Sequence, residues 1–291
     1  MSQLSLAKSE PFRYGLNAST LRGHNLPLTE VIAIAAETGY HGLEPWIDEI
    51  EKYVEGGGSL PDLRRRLADS NLTVEGAIGF AEWIVDDDKR RGAGLERAKR
   101  DMDLISQIGG TRIAAPPMGM TETEDRDLLK IAARYRALCE VGEGVGVTPL
   151  LEVWGFSKTL QRLGDVAAVA IESGHKNAAI LADSYHLYKG GSPIAGLKML
   201  RGEILPVFHI NDYPAIAPGI ITDADRVYPG DGIAPLAEIF QTLQSIGFAG
   251  TLSLELFNAE YYKQDARTVA KTGLEKMRAA VQSANLGTAN E

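Results

Sequence analysis

The sequence has a single cysteine, Cys139, among 291 residues. One thiol excludes an internal disulfide framework and a cluster of thiolates around a metal, and the helical pattern around Cys139 predicts a buried, inert side chain. The sequence also lacks any run of about 18 uninterrupted apolar residues that could span a bilayer. Its amino-terminal segment has no long apolar core followed by a small-residue cleavage site. Together these absences predict a cytoplasmic protein without a membrane partner.

Basic residues are also scarce: 30 Lys and Arg stand against 39 Asp and Glu, which gives a net charge of -9. Such a charge repels phosphate-rich polymers unless a local basic patch overcomes it. The densest basic stretch, residues 86–100, interleaves acids with bases at helical spacing, which is typical of the solvated face of a helix. We therefore predict that nucleic acid is not a partner.

The composition is that of an ordinary globular protein, with 44% hydrophobic and 24% charged residues. Eight short apolar or β-branched runs alternate with amphipathic segments, which predicts an α/β fold closed into a single (β/α)8 TIM barrel. A doubly wound open sheet is the alternative, but the first strand-to-helix turn, residues 16–25, lacks a Gly-x-Gly-x-x-Gly pattern. No linker divides the chain, so we predict one domain over residues 1–291 with flexible tails at 1–11 and 284–291. The predicted strands are 12–17, 41–46, 72–79, 111–117, 147–154, 178–184, 204–212 and 250–257, and the predicted helices are 26–39, 60–71, 94–110, 127–146, 159–174, 234–247 and 265–284, with a weak crossover at 192–202.

Acidic residues and a histidine end four consecutive predicted strands. These residues are Glu152, Asp183, His209 and Glu255. The carboxyl ends of barrel strands face one mouth, and an isolated buried carboxylate is costly, so converging acids predict a cation. Three oxygen donors and one nitrogen suit Mn²⁺, Mg²⁺, Co²⁺ or Zn²⁺. Taken singly, each acid could instead be a salt-bridge partner.

Further polar residues lie near the same predicted strand ends. Glu44 ends the second strand, and His186 follows the sixth, where it could also cap the loop. Asp212 follows the seventh and is placed to orient a neighbour or to contact a substrate. The other three histidines are predicted to serve loops or packing; they are His24, His41 and His175.

The segments "LLEVWG", "LADSYH", "FHIND" and "LSLELF" resemble the xylose isomerase-like barrel superfamily of sugar isomerases and epimerases, over most of the chain and in strand order. The loop "DRVYPGDG" and the continuation "LFNAEYY" are more particular, and they are similar to the inosose isomerase branch of inositol catabolism. The resemblance implies one divalent metal, Mn²⁺ first, on Glu152, Asp183, His209 and Glu255. It also implies that the two glutamates serve as the acid/base pair that isomerises a keto-polyol or keto-sugar through a cis-enediolate.

The same resemblance implies residues that contact the substrate. His186 and Arg226 would hold hydroxyls or the enediolate oxygen, although Arg226 could instead form a loop salt bridge with Asp223 or Asp231. The side chains expected to shape or contact the pocket are Glu44, Trp46, Trp154, Asp212, Tyr261 and Tyr262. A homo-oligomer is compatible with the sequence, which does not distinguish a dimer from a tetramer.

Two alternatives stay open on sequence grounds, and two others are disfavoured. The first is a lyase like the dehydroshikimate dehydratases, because the same enediolate can expel a β-hydroxyl. The second is a barrel that binds a polyol without catalysis. A ketose 3-epimerase is less favoured because Ala215 stands where those relatives have a sugar-holding arginine, six residues after His209. An endonuclease with a three-zinc cluster is disfavoured because the chain has five histidines.

Overall fold

Eight parallel strands form one curled sheet in the computed structural model, which describes residues 10–286. Their order around the sheet is β3-β2-β1-β8-β7-β6-β5-β4. The Ala114 amide of β4 donates to the Ala77 carbonyl beyond β3 at 2.8 Å, so the sheet also closes between its two ends. The predicted barrel is confirmed, and each predicted strand range contains one observed strand. The strands are β1 Arg13–Asn17, β2 Gly42–Glu44, β3 Thr73–Val74, β4 Arg112–Ala115, β5 Thr148–Glu152, β6 Ala179–Asp183, β7 Val207–Ile210 and β8 Thr251–Leu254.

The barrel has two apolar layers because side chains alternate along each strand. On β5, Leu151 belongs to the large cluster that the helices complete, whereas Leu150 belongs to a smaller cluster built from strand residues and Ile78 beyond β3. The smaller cluster fills the barrel interior, and Trp46 packs against it. The barrel interior beneath the carboxyl ends of the strands is therefore packed with apolar side chains.

The helices mostly follow the predicted crossovers. Within residues 10–286 they are α1 Leu28–Thr38, α2 Ile47–Glu55, α3 Leu60–Asp69, α4 Asp88–Gln107, α5 Leu128–Val145, α6 Leu163–Glu172, α7 Ser184–Lys189, α8 Leu236–Ser245 and α9 Ala266–Ser283. Two short helices were not predicted from the sequence: α2 begins three residues after the end of β2, and α7 begins directly after β6. The weak crossover is a 3-10 helix, Ile194–Met199. None of the helices in this described part is both long and apolar enough to cross a membrane.

The two predicted tails fall largely outside the described residues. Of the residues that are described, Glu10 forms an ion pair with Arg278, with 2.6 Å between Oε1 and Nε. At the other end Ala284 is buried, and its carbonyl accepts a hydrogen bond of 2.8 Å from Gln241. The described ends of the barrel are thus packed onto the body of the fold. The single domain over residues 1–291 stays a prediction.

Asp101 is a buried acid on α4, away from the barrel mouth. Its carboxylate lies 2.6 Å from Arg97 Nε. Burial raises the pKa of Asp101 to about 6, against the opposing charge of Arg97. The folded protein therefore holds this proton more tightly than the unfolded chain does. The ionised carboxylate destabilises the fold above about pH 6, and this cost vanishes below the unfolded pKa.

We expect Asp101→Asn to raise the thermal unfolding midpoint at about pH 8, by the equivalent of at most about 3 kcal/mol. The two proteins should converge as the pH falls toward the ordinary pKa of the acid. Differential scanning calorimetry across this range measures the difference, with Asp103→Asn, an exposed position of the same helix, as the matched control. A lower midpoint for Asp101→Asn at high pH would show that the pair with Arg97 outweighs the cost of burial.

Candidate metal centre and active site

The strand ends bring the predicted acids to one mouth. Glu44, Glu152 and Asp183 are the last residues of β2, β5 and β6. His209 lies within β7, and Glu255 directly follows β8. All five side chains are buried. The parallel register explains the convergence, because it pairs Asp183 with His209 on neighbouring strands.

Asp183, His209 and Glu255 form a group that could hold a metal ion. One ligand atom from each residue lies within 4.8 Å of the others. His209 Nδ1 is 3.3 Å from Glu255 Oε2 and 4.0 Å from Asp183 Oδ2, and it makes no hydrogen bond. A buried imidazole nitrogen without a partner, facing two carboxylates, is the donor arrangement that a divalent ion requires. The residues present therefore fit a metal.

The other nitrogen of His209 has a partner behind the site. His209 Nε2 lies 2.9 Å from Glu44 Oε2. Metal-binding histidines commonly donate their second N–H to a carboxylate, which fixes the tautomer and the ring orientation. Although burial lowers the pKa of His209, the carboxylates of Glu255 and Glu44 outweigh it and raise the pKa well above the ordinary value. Glu44 is therefore placed to support His209, and its contact with a substrate stays a prediction.

The room for Glu44 is made by a glycine on the neighbouring strand segment. A Cβ atom at Gly76 would lie 2.5 Å from Glu44 Oε1. Any larger residue there would push the carboxylate away from His209. The position of the Glu44 side chain in the barrel interior therefore depends on residues from more than one strand.

Glu152, the fourth predicted ligand, lies outside the group of three. Its carboxyl makes no hydrogen bond or ion pair with the part of the chain that the structure describes. Burial, followed by the negative charge of Glu255, raises the pKa of Glu152 to about 8. The mouth thus contains a carboxyl group that is held in no fixed contact and is easily protonated. Its role as a ligand stays a prediction.

Arg226 connects the acidic group to the loop after β7. Its Nη1 donates to Asp183 Oδ2 at 3.1 Å and to Glu255 Oε2 at 2.6 Å, and its Nη2 donates to Asp223. Arg226 thus forms the loop ion pair that was one predicted alternative, with Asp223, whereas Asp231 pairs with Lys276. The contact of Arg226 with a substrate stays a prediction. The guanidinium balances the charge of two carboxylates that would otherwise repel each other.

His186 extends this network on α7. Its Nε2 lies 3.2 Å from Arg226 Nη2, and its backbone N–H donates to Asp183 Oδ1 at 2.9 Å. Burial and then the charge of Arg226 lower the pKa of His186, so the ring is neutral and Nε2 can accept from the guanidinium. His186 is therefore part of the site and does more than cap a loop.

Two asparagines that the sequence analysis did not assign complete the network. Asn17, at the end of β1, donates to Glu255 Oε1 at 3.2 Å. Asn211 donates to Asp183 Oδ2 at 3.0 Å, and its own oxygen accepts from Ser184 Oγ at 2.8 Å. An uncharged amide side chain needs no counter-ion when it is buried, so it gives no signal of a metal site. Only the position of these asparagines at strand ends could have identified them as site residues.

Asp212 organises the neighbouring loop. Its carboxylate accepts hydrogen bonds from the backbone N–H groups of Tyr213, Gly230 and Ala234, at 2.8, 2.9 and 2.8 Å. These contacts leave the carboxylate little capacity for a substrate. Of the two roles predicted for Asp212, the structure thus places it for the one that orients neighbours. The loop that it holds follows Arg226.

The predicted pocket aromatics divide into two kinds. Trp46 and Trp154 lie at the mouth beside two phenylalanines, with ring centroids 5.0 Å from Phe80 and 4.7 Å from Phe156 respectively. The tyrosine hydroxyls instead bond to backbone groups: Tyr261 accepts from the Tyr228 amide, and Tyr262 donates to the Ser19 carbonyl. His24 and His175 bond to backbone groups a few residues away, and His41 accepts from the Tyr14 amide on β1, as expected for loop or packing residues.

The Xylose isomerase-like TIM barrel family model matches residues 32–280. The chain belongs to this family. An inosose isomerase of Bacillus velezensis is 28% identical over 269 residues, which cover 91% of this chain and 95% of that protein. A 3-dehydroshikimate dehydratase of Pseudomonas aeruginosa is 27% identical over 259 residues, which cover 86% of this chain and 39% of that protein. The predicted family resemblance is therefore confirmed.

Among solved structures, the IolI protein with a bound zinc atom matches with a TM-score of 0.86 and 24% identity, over 94% of this chain and 99% of that chain. This likeness shows the fold. The relatives at 28% and 27% identity are enzymes, and the group of Asp183, His209 and Glu255 could hold a metal ion.

Proposed function

We propose that the protein is a divalent-metal-dependent isomerase or epimerase that acts on a keto-polyol or keto-sugar of the inosose type. The observation that carries the proposal is His209 Nδ1, which is buried, has no hydrogen-bond partner and faces the carboxylates of Asp183 and Glu255. The similarity to an inosose isomerase over most of both chains supports the substrate class. The oxygen-rich donor set is compatible with Mn²⁺ first, and with Mg²⁺, Co²⁺ or Zn²⁺.

In this proposal Asp183, His209 and Glu255 hold the ion, and Glu152 is the fourth ligand. A bound divalent ion supplies Lewis acidity, which polarises the substrate carbonyl and acidifies the neighbouring C–H group. Glu44 keeps the His209 ring oriented, and Asn211 and Asn17 fix the carboxylates of Asp183 and Glu255. These contacts orient three of the ligands, whereas Glu152 would have to approach them to complete the set.

Glu152 and Glu255 supply the proton transfer between the two carbons. Although burial raises the pKa of Glu255, the charges of His209 and Arg226 outweigh it and hold the pKa well below the ordinary value. The pKa of Glu152 is instead raised to about 8. A divalent ion held by both groups would favour their ionised forms, so Glu255 can accept a proton directly, and Glu152 acts as the acid once its carboxylate has taken up a proton. We assign Glu255 as the base and Glu152 as the acid, and the roles exchange in the reverse reaction.

Arg226 and His186 stabilise the charge that develops during this transfer. The guanidinium already touches Glu255 Oε2, so it lies beside the proton-accepting carboxylate. A buried cation at this place would stabilise the negative oxygen of a cis-enediolate more strongly than an exposed one. The neutral His186 ring adds a second polar contact next to the guanidinium.

Dehydration is the second candidate function. The similarity to a 3-dehydroshikimate dehydratase covers 86% of this chain. An enediolate that carries a β-hydroxyl can expel it as water when an acid protonates the leaving group, and Glu152 would be such an acid. The product separates the two reactions, because an enone absorbs ultraviolet light and an isomerised ketone does not.

The test is proton NMR of 2-keto-myo-inositol in D₂O with metal-stripped protein, before and after Mn²⁺ is added. We expect deuterium to enter beside the carbonyl, with a new ketone appearing, after the metal is present. His209→Gln should lose this exchange, whereas the matched variant His175→Gln, a histidine remote from the mouth, should keep it. Exchange that proceeds equally in stripped protein, or none with any divalent ion, would contradict the proposal.

A further inference from the structure

Four aromatic side chains form a continuous row along one side of the barrel mouth. This aromatic arc consists of Trp46, Phe80, Trp154 and Phe156. Neighbouring ring centroids are 5.0 Å, 6.2 Å and 4.7 Å apart in that order. Such separations are those of interacting aromatic pairs. The arc therefore behaves as one surface, although its members come from the ends of three different strands.

At one end the arc reaches the group of Asp183, His209 and Glu255 through His186 and Arg226. The Phe156 ring lies 5.9 Å from the His186 ring, and His186 Nε2 lies 3.2 Å from Arg226. A molecule whose oxygens contact Arg226 would thus have the arc directly beside it. The other end of the arc, at Trp46, rests on the apolar interior of the barrel.

The arc is partly exposed, and Trp46 at one end of it is held in place. Phe80 is 38% exposed and Phe156 is 41% exposed, although both are large apolar residues. Trp46 is fixed by a hydrogen bond of 2.8 Å to Ser19 Oγ and by the Arg22 guanidinium 3.9 Å from its ring centroid. Contiguous exposed apolar surface at a site marks a binding surface, and rings fixed in advance lose little entropy on binding.

Building on the proposed function, we propose that the substrate is a cyclic keto-sugar whose ring carries an apolar or aromatic substituent, and that this substituent lies on the aromatic arc. A cyclitol that carries a hydroxyl group on each carbon except the carbonyl carbon would leave the apolar rings of Phe80 and Phe156 exposed to water. A flat or branched hydrocarbon group would cover them, while the sugar oxygens remain at Arg226 and His186. The Trp46 N–H already donates to Ser19 Oγ, so this end of the arc offers only the faces and edges of rings.

Other exposed apolar residues do not share this arrangement. Leu129, Ile171 and Met199 lie singly on helical segments outside the arc, where isolated exposed apolar side chains are common. The arc differs from these three residues because its Phe156 ring contacts the His186 ring. This continuity favours part of a substrate over a partner protein as the occupant.

The experiment compares phenyl and methyl β-D-glucopyranoside as ligands of the manganese-loaded protein. Neither carries the carbonyl that proton transfer needs, so binding is measured without turnover. Tryptophan fluorescence reports it, because Trp46 and Trp154 lie on the arc. We expect the phenyl compound to bind about tenfold more tightly, and Phe80→Ala with Phe156→Ala to reduce this ratio to about twofold. Ile171→Ala, an exposed apolar position on α6, should keep the full ratio.

Equal affinities for the two glycosides, or no binding of either, would overturn the inference. So would loss of self-association in the double variant, with the ratio unchanged, because the arc would then be an interface between copies of the chain. The proposed function fails separately. A protein that prefers the phenyl compound but exchanges no deuterium would keep the inference, and one that turns over 2-keto-myo-inositol without the preference would keep only the function.

Discussion

Glu255→Gln is expected to lower kcat by about 10²–10⁴-fold while the barrel still folds, since this is the usual contribution of a positioned acid or base. Glutamine occupies the same space but cannot accept the proton. Two donors, Asn17 and Arg226, converge on the two oxygens of Glu255, and glutamine offers one oxygen. We therefore expect a modest fall in the unfolding temperature, equivalent to about 1–3 kcal/mol. Steady-state kinetics and thermal unfolding on the same preparation measure both effects.

The matched control is Glu260→Gln, an exposed glutamate five residues along the same loop. It should leave kcat unchanged. Metal content, measured on both variants, separates the two roles of Glu255, because loss of the ion indicates ligation and retention of the ion with lost turnover indicates proton transfer. A Glu255→Gln protein with full activity would refute both roles at once.

Glu44→Gln is expected to weaken metal binding by about tenfold, and Glu44→Ala by about 100-fold, because Glu44 orients the ligand His209. Glutamine keeps an oxygen that can accept from His209 Nε2 but loses the negative charge. Alanine loses the contact of 2.9 Å altogether. Isothermal titration of metal-stripped protein with Mn²⁺ gives the affinities without any substrate.

The control for these variants is Glu55→Gln, an exposed acid on α2, which should bind the metal as the unaltered protein does. The sequence analysis placed Glu44 among the substrate-contacting residues, and that role makes a different forecast. A residue that touches only the substrate would raise KM and leave the affinity for Mn²⁺ unchanged. That result would contradict the orienting role and restore the earlier assignment.

The fold could be predicted from the sequence because its signals are local. Each strand is an apolar run, each crossover is an amphipathic segment, and the absence of a linker or a phosphate-binding turn excludes the main alternatives. The elements missed, α2 and α7, are short helices that start within three residues of a strand end, where packing at the mouth decides the conformation. The predicted strands are longer than the observed ones because each apolar run continues past the last hydrogen bond of the sheet ladder.

The candidate site shows the same division. The sequence by itself determined that Asp183, His209 and Glu255 would meet, because parallel strands place their carboxyl ends at one mouth. Only the tertiary structure decided which nitrogen of His209 faces Asp183 and Glu255, that Glu44 contacts the other nitrogen, and that a row of four aromatic rings ends beside His186. These are relations between side chains of distant strands, and they depend on rotamers and barrel curvature, which no spacing along the chain encodes.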